Sequence, residues 1–75
     1  MARSSKYLVV CLSNDGYAAS LEKRKLYVAI PDTPASDHGL VRVIDESGDD
    51  YLYPGEIFTS VELPTAVRRA VLAAA

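Results

Sequence analysis

The segment Leu40–Pro54, LVRVIDESGDDYLYP, constrains the fold of this chain more than any other segment. Two apolar and aromatic runs flank a central Ser-Gly pair, a composition that favours the tight turn of a β-hairpin. The turn also holds the densest charge in the sequence, in four carboxylates: Asp45, Glu46, Asp49 and Asp50. The segment therefore predicts a small antiparallel sheet with an acidic hairpin.

The apolar residues of this hairpin favour one pairing of its two strands. The tip is either the Ser47-Gly48 pair or a four-residue loop from Glu46 to Asp49, and both give the same register. The predicted pairs are Val43–Leu52 and Val41–Pro54 on the core face, and Ile44–Tyr51 and Arg42–Tyr53 on the other. A three-residue loop would instead pair Val43 with Tyr53. We prefer the first register because it keeps apolar residues on one face.

The length of 75 residues has room for one domain only. A domain this small buries only about 60–65% of the surface that its unfolded chain exposes, so a core and a deep pocket cannot both fit. We expect residues 1–5 to be a disordered N-terminus and residues 6–75 to form one domain. Cys11 is the only cysteine, which excludes an internal disulfide. No apolar run is long enough to span a membrane, so we expect a cytoplasmic protein.

Three further segments have the β-branched composition or the alternation of strands. They are Lys6–Ser13, Leu26–Ile30 and Glu56–Glu62. The inward faces that alternation predicts are Leu8, Val10 and Leu12 in the first strand, and Leu26, Val28 and Ile30 in the second.

The remaining segments predict loops and a C-terminal helix. Tyr17–Lys25 is too short for an independent helix, and we interpret it as a long, ordered loop. Asp32–Gly39 is either a plain loop or one helical turn capped by Asp32 or Thr33. The alanine-rich tail predicts a helix over about 64–74. One face of this helix would carry Val67, Ala70, Val71 and Ala74.

The order of these elements resembles that of a Src-homology-three-like barrel. Ala19–Tyr27 is similar to the end of the long first loop and the second strand of that family, and Asp45–Tyr51 is similar to its distal hairpin. Tyr53-Pro54 followed by Ile57-Phe58 resembles the short helical turn before the last strand. The resemblance implies a mainly β fold, a small five-stranded antiparallel barrel with a short C-terminal helix.

The chain also resembles a group of small bacterial proteins with no assigned activity. They share the pattern ASLxxRKxY…PD…HG…RVIDESGxDYLYP…F…LP, nearly intact here from Ala19 to Pro64. This second resemblance implies a fold and no function. The peptide-binding members of the barrel family carry a Trp at the start of the third strand, where this chain has Leu40.

Aromatic side chains beside the acidic hairpin form the candidate binding surface. Exposed aromatic patches are typical of protein-binding surfaces, although a small barrel also needs such rings to cover its core. The predicted surface consists of Tyr17, Arg42, Tyr51, Tyr53 and Phe58, flanked by Asp45, Asp49 and Asp50. Because the flanking residues are carboxylates, we expect a non-catalytic protein-interaction or regulatory module with a basic partner protein.

The acidic hairpin has two other interpretations. In the simpler one, Asp and Ser side chains accept hydrogen bonds from local backbone N–H groups in a solvated turn. In the other, the carboxylates bind a cation. Calcium needs six to eight oxygen ligands, which one tight turn rarely supplies, and the spacing departs from the calcium-loop motif. We therefore expect no metal and no cofactor.

Other parts of the sequence offer two alternative functions. Lys23–Lys25 could bind the phosphates of a nucleic acid, but a net charge of −2 opposes it. The helix face with Val67 and Val71 could dock on another chain as part of a structural subunit, and we expect a monomer or a weak homodimer. Cys11 belongs to a predicted buried strand and His38 to a loop, so no nucleophile pair is indicated and we expect no enzyme.

Overall fold

The computed structural model describes residues 6–74, and the predicted disordered segment 1–5 lies outside the described residues. These residues form one five-stranded sheet and a C-terminal helix. The strands are β1 Tyr7–Cys11, β2 Leu26–Ile30, β3 Leu40–Ile44, β4 Asp50–Pro54 and β5 Phe58–Val61. The helices are α1 Thr33–Asp37 and α2 Thr65–Ala74, and a 3₁₀ turn at Gly55–Ile57 connects β4 to β5.

The sheet is antiparallel throughout, in the order β4-β3-β2-β1-β5. The predicted mainly β fold with a C-terminal helix is confirmed. The edge strands β4 and β5 do not pair with each other over the described residues, so the sheet is open. The predicted last strand is shorter than expected, because its first residues belong to the 3₁₀ turn after Pro54.

The core lies on the face of β1 and β2 opposite to the predicted one. Val9 and Cys11 from β1, and Tyr27 and Ala29 from β2, are buried together in the core. Leu12, which was predicted to point inward, is 48% exposed. The sequence alternation is therefore correct in its period and wrong in its phase.

The outer face of the sheet explains this error, because it is apolar as well. Leu8 and Val28 are buried on that face, and Leu26 is partly exposed. Val71 of α2 lies across a small cavity of about 270 Å³ from these side chains. Strands that are apolar on both faces give no alternation of hydrophobic and polar residues, so the pattern could not decide which face is the core.

The β3–β4 hairpin is offset by one residue from the predicted register. The observed pairs are Leu40–Pro54, Val41–Tyr53, Arg42–Leu52, Val43–Tyr51 and Ile44–Asp50. The N–H of Asp45 donates to the carbonyl of Asp49 at 3.1 Å, so the loop itself consists of three residues, 46–48, and is centred earlier than any of the predicted loops. This register places Tyr53 on the same face as Val43, in the core.

The long loop between β1 and β2 is ordered, as predicted. Leu21 is only 1% exposed and belongs to the core, although it lies in no strand or helix. Its N–H donates to the carbonyl of Tyr17, and its own carbonyl accepts a hydrogen bond from the Asn14 side chain at 3.1 Å. The loop is therefore anchored by one apolar side chain and a short series of turns.

The segment after β2 forms one helical turn rather than a plain loop. The Asp32 side chain accepts a hydrogen bond from the N–H of Ala35 at 3.0 Å, which makes Asp32 the cap of α1. Gly39 follows with a φ of 74°, a left-handed conformation that glycine adopts at low cost, and the chain turns there into β3.

The C-terminal helix α2 matches the predicted span and is only partly packed. Val67 and Ala70, from the predicted packing face, are exposed, whereas Val71 and Leu72 are half-buried. The Arg68 guanidinium donates a hydrogen bond to the carbonyl of Lys6 at 2.7 Å. In the described part of the chain, neither helix has the length and apolar character that crossing a membrane requires.

Replacing Leu21 with Ala should lower the free energy of unfolding by about 2–5 kcal/mol, because it opens a cavity beneath the long loop. The matched control is Leu12→Ala, the same chemical change at an exposed position of the same loop. There we expect a change within about 0.5 kcal/mol. Urea unfolding followed by circular dichroism measures both values. Equal destabilisation by the two substitutions would show that the loop is not anchored by Leu21.

Candidate functional site

The structure divides the predicted aromatic surface between the core and the solvent. Tyr53 is 4% exposed and contacts the buried ring of Phe58, with the ring centroids 6.0 Å apart. Tyr17 is half-buried, and its ring meets that of Tyr53 edge-on at 5.1 Å. Tyr51 is 51% exposed. Three of these four rings therefore cover the core, and only Tyr51 is open to solvent.

The hydroxyl of Tyr53 contacts the buried carboxylate of Asp45. It donates a hydrogen bond to Asp45 Oδ2 at 2.6 Å, and the Ser20 hydroxyl lies 3.0 Å from the same phenol oxygen. The other oxygen of Asp45 accepts hydrogen bonds from the N–H and the hydroxyl of Ser47. Both oxygens of Asp45 are thus occupied inside the protein, and the carboxylate connects core, turn and long loop.

A second tyrosine and carboxylate repeat this arrangement beside the first. Tyr27 donates to Glu46 Oε2 at 2.6 Å, and Lys25 Nζ lies 2.6 Å from the same oxygen. The Tyr27 hydroxyl in turn accepts the N–H of Glu22 at 2.7 Å. The four side chains Asp45, Glu46, Tyr27 and Tyr53 are called the tyrosine–carboxylate cluster below.

The pKa values in the cluster favour ionised acids and neutral phenols. Burial by itself raises the pKa of Asp45, but hydrogen bonds from Ser47 and Tyr53 outweigh it and hold that pKa below its ordinary value. Hydrogen bonds from Lys25, and then from Tyr27, lower the pKa of Glu46. Burial, and then the bond to Asp45, raise the pKa of Tyr53. At neutral pH every phenol therefore remains a donor and every carboxylate an acceptor.

The cluster takes up two of the four carboxylates of the acidic hairpin. Asp45 and Glu46 are bound within the fold, and Ser47 also accepts the N–H of Asp49 at 3.2 Å. The bonds from the N–H groups of Ser47 and Asp49 are the local side chain to backbone bonds predicted for the turn, whereas the bond between the buried Asp45 and Tyr53 was not predicted. The carboxylates of Asp49 and Asp50 remain exposed at the hairpin.

Arg42 forms two ion pairs and does not face Tyr53. Its Nε lies 2.8 Å from Asp32 Oδ2, and its Nη1 lies 2.9 Å from Asp50 Oδ2. The predicted pairing of Arg42 with Tyr53 is wrong, because the hairpin register places Leu52 opposite Arg42. Arg42 therefore connects the cap of α1 to the start of β4.

An open groove of about 930 Å³ lies at the end of the sheet where α1 and the 3₁₀ turn meet. Its apolar lining includes Tyr7 from β1, Val41 from β3, Pro54 from β4 and Phe58 from β5. The sheet is open between its edge strands, and residues of all five strands border one concave space there, with Ile30 contributed by β2. A mixture of apolar lining and a few polar groups is typical of binding sites.

Four ionisable side chains belong to the lining of this groove: Asp32, His38, Arg42 and Glu56. Two of the residues predicted for a binding surface, Arg42 and Phe58, line the groove, whereas Tyr17, Tyr51 and Tyr53 do not. The contribution of Tyr7 was missed, because only the topology brings the start of β1 beside the end of β2 and into the same groove as Gly55 and Glu56. No local sequence signal could have shown it.

The remaining candidate residues are scattered. Lys25 of the basic triplet is ion-paired with Glu46 and Glu22, which leaves Lys23 and Arg24 exposed. The Cys11 thiol is fully buried, and burial raises its pKa.

His38 follows α1 and is exposed, at the end of the sheet where β2 finishes. Cys11 lies at the other end, where its N–H donates to the carbonyl of Lys25, just before β2 begins. The two residues thus belong to opposite ends of the sheet. Over residues 6–74, no three His, Cys, Asp or Glu side chains come together in a way that would hold a metal ion.

Comparisons with protein-family models, with curated proteins and with solved structures find no match for this chain.

Replacing Tyr53 with Phe should lower the free energy of unfolding by about 1.5–3 kcal/mol, because Asp45 loses a buried donor. Tyr51→Phe is the matched control, since it removes an exposed hydroxyl from the same strand and should change stability by less than about 0.5 kcal/mol. Urea unfolding curves of both variants give the comparison. If the Tyr53→Phe variant is as stable as the control, the hydrogen bond between Tyr53 and Asp45 does not contribute to the free energy of unfolding.

Stability should also fall as the solution is acidified. The folded-state pKa values of Asp45 and Glu46 are lowered, so the unfolded chain binds more protons between the folded and unfolded values. Their contribution is fully present above the unfolded pKa of about 4 and is lost as pH falls through the folded values. Urea midpoints between pH 7 and acid should show it, and Asp45→Asn should flatten this acid slope. An unchanged slope in Asp45→Asn would exclude Asp45 as its source.

Proposed function

We propose that this chain is a small, non-catalytic protein-interaction module that binds an extended segment of a partner in the groove beside α1. The observation that carries the proposal is the groove itself, an open space of about 930 Å³ with aromatic, aliphatic and proline side chains along its lining. Extended segments bind such grooves by inserting alternate side chains between apolar walls. No chemistry is assigned to the site.

The fold proposed for this module is Src-homology-three-like. The support is the order of its parts: a long ordered loop between β1 and β2, a tight β3–β4 hairpin, and a 3₁₀ turn directly before β5. The pairing of β5 with β1 brings the two ends of the domain together, which is also what a small barrel requires. The open seam between β4 and β5 is where this chain departs from a closed barrel.

The charge of the groove lining supports a basic partner. Asp32 and Glu56 contribute carboxylates there, and the charge of Arg42 is shared between Asp32 and Asp50. Over the described residues Glu56 takes part in no ion pair, so its charge is available to a ligand. A Lys or Arg next to the apolar part of the segment would complement these carboxylates.

Nucleic-acid binding, the alternative function, has less support. Nucleic-acid binding through Lys23–Lys25 loses one of its three charges to the ion pairs of Lys25 with Glu46 and Glu22. The proposed groove has no excess of basic residues, and the net charge of the chain is −2.

Selection from a random peptide library displayed on phage tests the proposal. The expected outcome is enrichment of peptides that combine apolar residues with at least one Lys or Arg. Titration of such a peptide into ¹⁵N-labelled protein should shift the amide resonances of Tyr7, Val41 and Thr59. Ser60→Arg, which places a bulky cation in the groove, should weaken binding at least about tenfold, or 1.4 kcal/mol.

The matched control is Ala18→Arg, which adds the same side chain at an exposed position of the long loop outside the groove. It should bind the selected peptide as the unmodified protein does. The proposal fails if no peptide is enriched, or if the selected peptides shift resonances away from the groove and bind the Ser60→Arg variant normally.

A further inference from the structure

Strand β4 has a fixed orientation of its peptide groups. At one end of the hairpin, the N–H of Asp45 donates to the carbonyl of Asp49 at 3.1 Å. At the other end, the N–H of Gly55 donates to the carbonyl of Gly39 at 2.8 Å. In an antiparallel ladder, pairs of residues that are hydrogen-bonded to each other alternate with pairs that are not. The pairs Asp45–Asp49 and Gly39–Gly55 are separated by an even number of positions, so both fit the same alternation. Alternate residues of β4 therefore turn their peptide groups toward β3.

The residues that point their peptide groups toward β3 are Tyr51 and Tyr53. The N–H and carbonyl groups of Asp50 and Leu52 consequently point away from the sheet, at its outer edge. Over residues 6–74, the N–H groups of Asp50 and Leu52 donate to no carbonyl in a turn or loop and to no side chain. The side chains of Asp50, Tyr51 and Leu52 are all exposed, so the edge is accessible to solvent.

This edge lacks the usual protection of edge strands. Natural sheets block their edges with charged side chains, internal prolines or bulges. Strand β4 has no Lys and carries its only Pro at its last residue, and its one charged side chain, Asp50, is paired with Arg42. The opposite edge differs, because the N–H of Phe58 in β5 is already bonded to the carbonyl of Gly55. The N–H of Ser60, which also points outward from β5, has no such bond over residues 6–74, so β4 presents two free N–H groups at its edge and β5 presents one.

We propose that β4 pairs with β4 of a second copy of this chain, antiparallel and about a two-fold axis at Tyr51. In this arrangement the free N–H and carbonyl groups of Asp50 meet those of Leu52 of the second copy, and the reverse. The two exposed Tyr51 rings lie side by side at the centre, as a cross-strand aromatic pair. The two open sheets then become one continuous sheet.

The distribution of charge is what makes a second copy suitable. The two-fold pairing puts Asp50 opposite Leu52 and not opposite the Asp50 of the other copy, so like charges do not face each other. Arg42 lies 2.9 Å from Asp50 and neutralises it within each copy. An isologous contact of this kind is self-complementary and closes at two copies.

The proposed interface is small, so the affinity of the dimer should be low. One five-residue strand per copy buries far less surface than a standard protein interface, so we expect a Kd on the order of 100 µM. Sedimentation equilibrium over concentrations on both sides of this value should show the average mass rising toward twice that of one chain. Amide hydrogen exchange at Leu52 should slow at high concentration, whereas exchange at Ser60, on the opposite edge, should not change.

Tyr51→Lys is the test substitution, because it puts two ammonium groups at the two-fold axis, and it should raise the dimer Kd at least tenfold. Val67→Lys is the matched control on the exposed part of α2, and it should leave the Kd unchanged. Urea midpoints confirm that both variants are folded. The proposal is overturned by a single-chain mass at all concentrations, by a larger effect of Val67→Lys than of Tyr51→Lys, or by exchange protection that maps to α2.

Discussion

The hydrogen bond between Tyr53 and Asp45 is the interaction on which the rest of this structure depends. A carboxylate that is buried without donors is expensive, so a buried Asp45 must keep the phenol and the Ser47 groups that satisfy it. Tyr53 belongs to the core, and Ser20 belongs to the long loop. One buried charge is therefore linked to three segments: the hairpin turn, strand β4 and, through the Tyr53 hydroxyl, the long loop.

The hairpin register follows from this requirement. If Tyr53 pointed to the outer face, as the predicted register has it, its hydroxyl could not reach the first residue of the turn. The apolar residues of β3 and β4 tolerate either register, and so their pattern could not choose between them. The deciding contact is the hydrogen bond between Asp45 and Tyr53, which forms only when Tyr53 faces the core, and the apolar pattern of the hairpin does not show which face that is.

The parts that could be predicted are those whose causes are local. Asp32 before Thr33-Pro34 is a cap signal, and an alanine-rich tail after Pro64 is a helix signal, and both elements are present. The number of strands also follows from their composition. The groove could not be predicted, because its lining comes from all five strands, and the aromatic residues that look available in the sequence are needed for the core.

The placement of β1 has a consequence for how the chain folds. The first strand of the chain lies inside the sheet, between β2 and the last strand, β5. Until β5 is in place, β1 is an edge strand, and the core side of Cys11 lacks the ring of Phe58 that pairs beside it. Contacts between distant parts of the sequence slow folding, because loop closure must precede the gain from packing. The sheet around β1 is therefore complete only when β5, which comes much later in the sequence, has paired with it.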